Sequence, residues 1–500
     1  MATDGEWTCN ANSAIHITIV QPGEKKPKTL STFHPQFTYP IFGDEESIFG
    51  YKGLIIRLRL AAHDLRPHIH ISYDDRFKTV EDTKALDLLG TLKPWISEEA
   101  FGDLPEFEKA IQDENAKDFK PPGKCVHSYS TRGRNYEIWA GSLSDPEVRR
   151  LLDRVQICTP LFIEAGMPLV TDDPEWTLER WMVYFIHSSH SHRVAVLYCW
   201  IRHHLPVLAL PERIAEANRE KRSFPTARKE AFATTLPAPD RAVPDSPPSP
   251  SSGHGTHLYT TIHSACFNDP TIIELTVEDP NEAFDGLRDS SDYYILRPEF
   301  IKHKVNINPD PYEAHTLNQR PRLVPTAALI PTKLLHDIRM SYKIAPTQFA
   351  HILEMFLLSQ IPFEQRRVGG AKMARLLIKK HKLDDANDRR YYWWRMLTKQ
   401  RLYKRSKDML IELDMTDRLQ KLEETVDNVE DGYEILLKGF AAREEILKSR
   451  EEELTVSQDK GAGYLNGTPA KEQRSKRKFT VEDDEDEDAG EGSATKRSKV

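Results

Sequence analysis

The sequence lacks an excess of positive charge, because 69 Lys and Arg residues face 77 Asp and Glu residues for a net charge of -8. Proteins that coat nucleic acid depend on excess basic charge to bind the phosphate backbone. We therefore expect no direct sequence-specific binding of nucleic acid. An acidic protein attracts basic partners instead.

Long apolar runs and closely spaced cysteines are also absent. No run approaches the roughly 20 residues that span a bilayer, and residues 1–12 hold no basic segment followed by an apolar one. We therefore expect neither a membrane span nor a secretory signal. The cysteines are odd in number and far apart, which is typical of reduced thiols in an intracellular protein. They are Cys9, Cys125, Cys158, Cys199 and Cys266.

Several common catalytic and metal-binding motifs are missing. The chain has no Gly-x-Ser-x-Gly elbow, no Walker loop and no His-Glu-x-x-His pair. His187, His190 and His192 lie close together but have no second pair of residues at ligand spacing. We therefore predict no metal site.

The length of 500 residues suits two or three domains. In the first part of the chain, apolar and polar residues alternate as they do in half-buried strands, and one segment has a helical period. Predicted strands cover 14–20, 54–60, 68–73, 161–163 and 181–186. Two more strands lie within 124–143 and are joined by a turn at 131–134. A helix is predicted over 145–157, directly after Ser144. This pattern predicts an α+β protein with an N-terminal α/β domain over residues 8–165.

From residue 324 onward the helical period dominates. Predicted helices cover 349–360, 370–381 and 388–404, and a 4-3 apolar rhythm extends over 422–454. We predict a helical C-terminal domain over 296–415, an amphipathic heptad helix over 416–456 and a disordered charged tail over 457–500. Basic clusters on both sides of an acidic run in that tail predict recognition by importin.

Residues 187–252 differ sharply in composition from the rest of the chain. Five of the 19 histidines fall between residues 187 and 204, and six of the 33 prolines fall between residues 237 and 250. The proline-rich part cannot hold a regular element and is predicted to be disordered. A helix is predicted to begin directly afterwards, at Gly253-His254-Gly255.

The segment 271–289 holds the sharpest candidate for catalysis. Glu278 and Asp279 stand at the end of a predicted buried strand, before Pro280 and a helix that begins near Asn281. Repulsion between adjacent carboxylates raises the pKa of at least one of them, which suits a general base. An ordinary strand-to-helix turn capped by acids explains the same pattern.

Two further patterns have both a functional and a plain structural interpretation. Gly253 and Gly255 at a helix start let backbone N–H groups approach phosphates, but they also suit a flexible helix start. The helix 388–404 mixes Trp393 and Trp394 with basic residues, a combination that can bind nucleic acid. We favour packing of this helix, with its basic residues on a solvated outer face.

Five blocks, in this order, resemble a single family. They are FTYPIFGDEESIFGYKGLIIRL (37–58), LFIEAG (161–166), GHGTHLY (253–259), LTVEDPNEAFDGLRD (275–289) and YYWWRMLTKQRLYKR (391–405). Together they are similar to the catalytic subunit of fungal type B histone acetyltransferases, over residues 8–440 without 187–252.

The resemblance implies transfer of an acetyl group from acetyl-CoA, with no metal, to lysines in the N-terminal tail of newly made, free histone H-four. It implies an acetyltransferase core of the GNAT type, with a mixed sheet, over residues 166–295. Its implied partners are histone H-four with its partner histone and a WD-repeat histone-chaperone subunit, in cytoplasm and nucleus.

The resemblance also assigns roles to single residues. It implies Glu278 as the general base, with Asp279 beside it and Glu164 as a further catalytic carboxylate. A base is needed because a lysine ammonium, with a pKa near 10.4, must lose a proton before it attacks the thioester. The implied cofactor-binding residues are Gly253, His254, Gly255, Pro280, Asn281, Phe284 and Arg288. The implied contacts to the histone tail are Asp44, Glu45 and Glu46.

One departure separates this chain from the family. The family has an apolar strand and a Gln-x-x-Gly-x-Gly loop before the helix that here begins at His254, but Pro250 holds the position of that Gln. The composition of 187–252 resembles translation in a shifted frame or through a misread splice junction. A non-catalytic histone-binding scaffold that has lost the loop is the alternative, and a coiled-coil nuclear adaptor using 419–454 accounts for the C-terminus alone.

Overall fold

The computed structural model describes residues 7–23, 26–113, 118–131, 133–169, 178, 181–188, 193–195, 200–202, 253–270, 272–277, 280, 282–311, 324–366 and 385–461. Side chains are described in these ranges except at 193–195, 200–202 and 446–461. The chain divides into two compact units, Met1–Phe440 and Ala441–Val500. The predicted helix 370–381 and the tail beyond residue 461 lie outside the described residues, and the predicted domain boundaries stay predictions.

The described part of the chain contains both strands and helices. The strands are β1 (Thr8–Asn10), β2 (Ile15–Gln21), β3 (Lys28–Phe33), β4 (Ser47–Phe49), β5 (Tyr51–Lys52), β6 (Ile55–Ala61), β7 (Pro67–Ser72), β8 (Asp75–Arg76), β9 (Lys124–Thr131), β10 (Arg134–Ser142), β11 (Trp181–Ser188), β12 (Arg193–Ala195) and β13 (Trp200–Arg202). The α-helices are α1 (Ala11–Ala14), α2 (Tyr39–Phe42), α3 (Leu88–Leu92), α4 (Leu104–Ile111), α5 (Pro146–Val155), α6 (Cys158–Phe162), α7 (His254–Asn268), α8 (Glu282–Lys302), α9 (Thr326–Leu329), α10 (Thr332–Ser341), α11 (Pro346–Ser359), α12 (Ala386–Arg405), α13 (Lys407–Glu412) and α14 (Met415–Gly461).

The N-terminal region is built around a mixed four-stranded sheet in the order β3-β2-β6-β7. Strands β2 and β6 run parallel, and the two edge strands pair antiparallel. Alternating residues such as Ile17, Ile56 and Leu58 are buried on one face, as the period of two requires. Each of the three strands predicted here is confirmed to within one residue.

A second sheet has the order β12-β11-β10-β9, and β13 also pairs with β11. The described pairs in this sheet are all antiparallel, so the parallel pair of the fold lies in the N-terminal sheet. The predicted strands within 124–143 and at 181–186 are confirmed. Helix α7 packs on one face of the sheet and α5 on the other, each through its own apolar cluster.

One local prediction needs correction. Residues 161–163, predicted as a β-like run, are the last two residues of α6 and its C-cap Ile163, because so short an apolar run has no period that separates helix from strand. Helix α5 begins next to Ser144, where a cap was expected. Its N-cap is Asp145, whose carboxylate accepts a hydrogen bond from the Glu147 N–H.

The C-terminal region of the first unit is helical, with a core formed by α8, α10, α11, α12 and part of α14. Trp394 is fully buried there, and its Nε1 donates to the carbonyl of Glu354 at 2.8 Å. This confirms that helix α12 packs through its aromatic residues. The basic residues of this helix were expected to face solvent, and this prediction is wrong for Arg395. That side chain is buried and pairs with Glu430 at 3.1 Å.

The apolar stripe of α14 takes part in the same core. Val426 and Tyr433 are buried in it, and Val429, Leu436 and Phe440 pack partly against it. The stripe is therefore occupied within the chain as far as Phe440, which removes the basis for a coiled-coil adaptor over that stretch. Helix α14 continues to Gly461, past the predicted start of the tail. Among the described helices, none is long and apolar enough to cross a membrane.

Candidate active site

Helix α7 begins at a glycine in a conformation that other residues rarely adopt. Gly253 is the N-cap, with φ +72°, and its carbonyl accepts a hydrogen bond from the His257 N–H at 3.0 Å. Among the described residues, a Cβ placed on Gly253 would meet no atom closer than 3.8 Å. The described surroundings of Gly253 thus leave space beside its backbone, which suits an anion at a helix N-terminus.

The second residue of this motif is fixed by aromatic neighbours. His254 Nδ1 lies 2.7 Å from the Tyr129 hydroxyl, and its ring stands edge-on to Tyr136 at 4.4 Å. The His257 ring stacks on Tyr129 at 4.0 Å. Burial raises the pKa of the Tyr129 hydroxyl well above its usual range, so it stays protonated. Strands β9 and β10 therefore set the orientation of the first turn of α7.

Gly255 makes the close approach between two helices possible. A Cβ on Gly255 would lie 2.6 Å from Leu287 Cδ1 on α8. A larger residue at this position would require the Leu287 side chain or the helices to shift. The structure thus gives Gly255 a packing role that brings the start of α7 next to the helix that follows Pro280.

The segment that leads to Pro280, residues 272–277, is here called the base segment. Ile272 and Leu275 are buried, as predicted, but the predicted strand 271–277 is not found as a ladder. In its described residues, the only β pairing is an isolated parallel bridge from Leu275 to Ile344. Ile344, which pairs with Leu275, lies in the short connection between α10 and α11 and not in a strand. The pairing therefore does not extend into a ladder. Glu278, Asp279 and Asn281 lie outside the described residues.

The remaining implied cofactor residues lie on or beside α8. Arg288 is buried; its Nη2 donates to the Leu275 carbonyl at 3.4 Å, and its Nε lies 3.8 Å from Asp292 Oδ2. Phe284 stands edge-on to Tyr259 of α7, 6.1 Å between ring centres. Arg288 therefore ties α8 to the base segment, and Phe284 ties α8 to α7.

A cavity of about 770 Å³ opens beside the base segment. Val277 and Pro280 belong to its lining, together with residues of α8, α9, α11 and α12. The lining also holds an ion pair in which Arg401 Nε and Nη2 donate to the two Glu354 carboxylate oxygens at 2.7 and 2.8 Å. The cavity thus combines apolar residues next to the predicted catalytic turn with a charged pair from the helical region.

Buried carboxylates lie behind this cavity. Asp292 accepts from the Tyr259 hydroxyl at 2.7 Å and from Gln348 Nε2 at 3.0 Å, and Gln348 Nε2 also donates to Asp289 at 2.9 Å. Burial raises the pKa of Asp292 to about 6, although Arg288 nearby opposes that rise. Burial, and then the charge of Asp289, raises the pKa of Asp285. This network joins α7, α8 and α11.

The raised pKa of Asp292 predicts a pH-dependent stability. The pKa of Asp292 is 3.8 in the unfolded chain and about 6 in the folded chain. At pH values between these two, the folded state therefore holds more protons than the unfolded state. The free energy of unfolding falls as the pH rises through this range. The variant Asp292→Asn cannot show this fall. Its free energy of unfolding relative to wild type should increase by roughly 2 kcal/mol between pH 4 and pH 6, measured by urea titration at each pH. Asp310→Asn, at a side chain that is 63% exposed, is the control, and parallel curves for wild type and Asp292→Asn would contradict the prediction.

The acidic block and LFIEAG lie together in the N-terminal region. The Leu161 carbonyl accepts from the N–H groups of Gln36 and Phe37 at 2.9 and 3.1 Å. The Ala165 N–H, next to the exposed Glu164, donates to the Tyr39 hydroxyl at 2.6 Å. The structure therefore brings the block that holds the implied tail contacts next to the block that holds the implied catalytic carboxylate Glu164.

The three acids of that block differ in surroundings. Asp44 and Glu45 are exposed. The Glu46 carboxylate accepts from the Thr38 and Tyr39 N–H groups at 2.6 and 3.2 Å, and the Thr38 bond is the main cause that lowers its pKa. Glu46 thus holds its own loop at the start of α2, and the outward charge comes from Asp44 and Glu45.

Several residues around the site escaped the sequence-based reasoning. The spacing of Asp285, Asp289 and Asp292 places three acids on one face of α8, and this was an available signal. The sequence held no signal for the roles of Tyr129 and Gln348, because their hydrogen-bond partners are distant in sequence. Across the described ranges, no group of three or more His, Cys, Asp or Glu side chains is arranged to hold a metal ion.

The chain is similar in sequence to several known proteins. The family model "Histone acetyl transferase HAT1 N-terminus" matches residues 7–164. A histone acetyltransferase type B catalytic subunit of Aspergillus fumigatus is 63% identical over 99% of this chain and 88% of that protein. Proteins of the same name from Aspergillus oryzae and Emericella nidulans are 60% and 54% identical, covering 100% and 91% of this chain and 100% and 93% of their own lengths.

These relatives are all acetyltransferases, and this is the class to which the chain belongs. Within the class, it is a member of the family of histone acetyltransferase type B catalytic subunits. The resemblance carried by the five sequence blocks is thereby confirmed.

Proposed function

We propose that this chain transfers the acetyl group of acetyl-CoA to lysines in the N-terminal tail of free histone H-four, with Glu278 as the general base. Family membership supports the acetyl transfer and the histone substrate. The choice of H-four and of Glu278 rests on the resemblance of the sequence blocks, above all the turn 275–289.

The observation that carries the proposal is the close packing of α7 on α8 at Gly255 and Leu287. Helix α7, which follows the predicted pyrophosphate loop, thereby lies beside α8, which follows the predicted base Glu278. Together with the antiparallel sheet under α7, this supports a GNAT-type core. In such a core the sheet splays open to admit the cofactor, and the base lies near the thioester.

The residues at the start of α7 fit the phosphates of acetyl-CoA. Gly253 offers backbone without a side chain, and the first-turn N–H groups and the helix dipole favour an anion. Acetyl-CoA supplies the thioester that is attacked. This chain's own residues would hold the pyrophosphate at α7, orient the thioester beside Pro280 and Phe284, and take the proton of the lysine at the Glu278 carboxylate.

The N-terminal region supports a basic substrate. Asp44 and Glu45 are exposed on the same part of the molecule as Glu164, and exposed acids attract a positively charged tail. We propose that the segment of Asp44, Glu45 and Glu46 contacts the tail, with Glu164 as a further carboxylate at the site, and that histone H-four is presented together with its partner histone and a WD-repeat chaperone subunit.

Acetyl transfer to free histones tests the proposal directly. Incubated with acetyl-CoA, the chain should label free H-four far more strongly than H-four in nucleosomes, and mass spectrometry should locate the acetyl groups on tail lysines. Histone H-four without its tail is the control substrate. Equal labelling with and without the tail would contradict the proposed substrate.

A specific observation favours a second function. Six prolines between residues 237 and 250 stand where the family has a strand and a phosphate loop, and proline has no N–H to donate. A histone-binding scaffold without catalysis needs neither. Histone binding at full strength, without measurable acetyl transfer, would support the scaffold.

We also propose that the protein occurs in cytoplasm and nucleus. Basic clusters at 474–478 and 496–500 flank seven consecutive acids, and such clusters suit importin. Removing the residues after Gly463 should lower the nuclear fraction of a fluorescent fusion. An unchanged distribution would remove this role of the tail.

A further inference from the structure

The base segment is held by residues 339–344, which form the last residues of α10 and the connection that follows it; we call them the clamp. The Lys343 carbonyl accepts from the Leu275 N–H at 2.7 Å. Arg339 Nη1 donates to Glu274 Oε2 at 2.8 Å, and the two side chains are 16% and 29% exposed. The helical region thus fixes both a backbone group and a side chain of the segment that ends one residue before Glu278.

The clamp also holds the C-terminal end of α7. Lys343 Nζ donates to the carbonyls of Cys266, Phe267 and Asp269 at 3.0, 2.9 and 2.6 Å. The last carbonyls of a helix lack partners within it, and a cation there is favoured. Lys343 keeps φ at +57°, a left-handed conformation that costs free energy. Its backbone and side chain together bind the base segment and α7.

The clamp joins two separate cores. Leu275 belongs to the cluster between the second sheet and α7, and Ile344 to the core of the helical region. Each is 2% exposed, and the two form the parallel bridge. Arg339 Nη1 also donates to the Ile344 carbonyl at 3.1 Å, which shapes the clamp itself. Close packing on both sides leaves the bridge little room to move.

We propose that Arg339 and Lys343 are positioning residues for acetyl transfer. They fix the base segment against α7, and so set the distance between the base that follows that segment and the cofactor bound at the start of α7. This proposal rests on the proposed function. Catalytic geometry is demanding, since a displacement of about 1 Å can lower a rate roughly 100-fold.

The variant Arg339→Met tests the clamp in the full chain. Methionine keeps an unbranched apolar stem but cannot bind Glu274. We expect kcat to fall about tenfold to a hundredfold, while KM for acetyl-CoA and for the histone stays within about threefold. Arg339→Lys restores one charge and should recover part of kcat. Arg389→Met is the matched control, because it removes an ion pair of similar length, 3.0 Å to Asp310, that does not touch the base segment.

Hydrogen exchange supplies a readout that does not need activity. Amide exchange in the peptide that contains 272–277 should accelerate at least about tenfold in Arg339→Met and in Lys343→Met, and not in Arg389→Met. An unchanged exchange rate in both clamp variants, or a wild-type kcat in Arg339→Met, would overturn the proposal. If the unmutated chain transfers no acetyl group, the proposed function fails, and hydrogen exchange alone decides whether the clamp holds the segment.

Discussion

Replacing residues 187–252 by the alternative-frame translation of the same stretch is expected to strengthen acetyl-CoA binding about 100-fold or more. A phosphate loop adds at least two hydrogen bonds to charged oxygens, each contributing roughly 1.5–3 kcal/mol. The six prolines between residues 237 and 250 have no N–H groups to provide them. The start of α7 at Gly253 should hold the pyrophosphate more tightly when a donor loop precedes it.

The second sheet gives a further reason to expect this gain. On the side of β11 away from β10, its described partners are the three-residue strands β12 and β13. A GNAT-type core needs a continuous strand there, whose end donates N–H groups to the thioester oxygen. The restored sequence should supply such a strand and the Gln-x-x-Gly-x-Gly loop.

Calorimetry with acetyl-CoA is the measurement, with both versions at equal concentration. A third version with a Gly/Ser sequence of the same length in place of 187–252 is the control, and it should bind as weakly as the given chain. Tight binding by the given chain would show that the segment is a genuine insertion and that the pyrophosphate is held in another way.

Local patterns in the sequence predict much of this fold. Strands such as β2 and β6 alternate apolar and polar residues, and α5, α7 and α11 have a helical period, so their positions follow from short stretches. The base segment shows the limit of such reasoning. Its residues have the composition of a buried strand, but its pairing depends on the Ile344 region, and no local pattern indicates that partner.

The same limit applies to the candidate site. The motif Gly253-His254-Gly255 indicated a helix start suited to phosphate, but the packing of Gly255 on Leu287 depends on where α8 lies. Glu46 looked like its exposed neighbours Asp44 and Glu45, because only the fold shows that the N–H groups of Thr38 and Tyr39 point at it. Pairwise geometry across long sequence distances decides these roles.

Substituting Glu278→Gln in the version with the restored loop is expected to lower kcat about 100-fold or more, the usual scale for loss of a general base. Val277, which precedes Glu278, and Pro280, which follows Asp279, both line the cavity. Glutamine has nearly the same shape but cannot take a proton. Affinity for acetyl-CoA should stay unchanged in calorimetry, since no contact with the cofactor is removed.

The pH dependence separates the loss of a base from a loss of structure. Without a base, only the lysine that is already neutral can react, and that fraction grows tenfold per pH unit below its pKa near 10.4. The rate of Glu278→Gln should therefore rise steadily with pH, where the unmutated enzyme levels off. Asp279→Asn and Glu164→Gln are matched controls, because each removes one carboxylate of the implied site. Near-normal turnover of Glu278→Gln at neutral pH, with a large loss in one of these controls, would move the role of base to that other carboxylate.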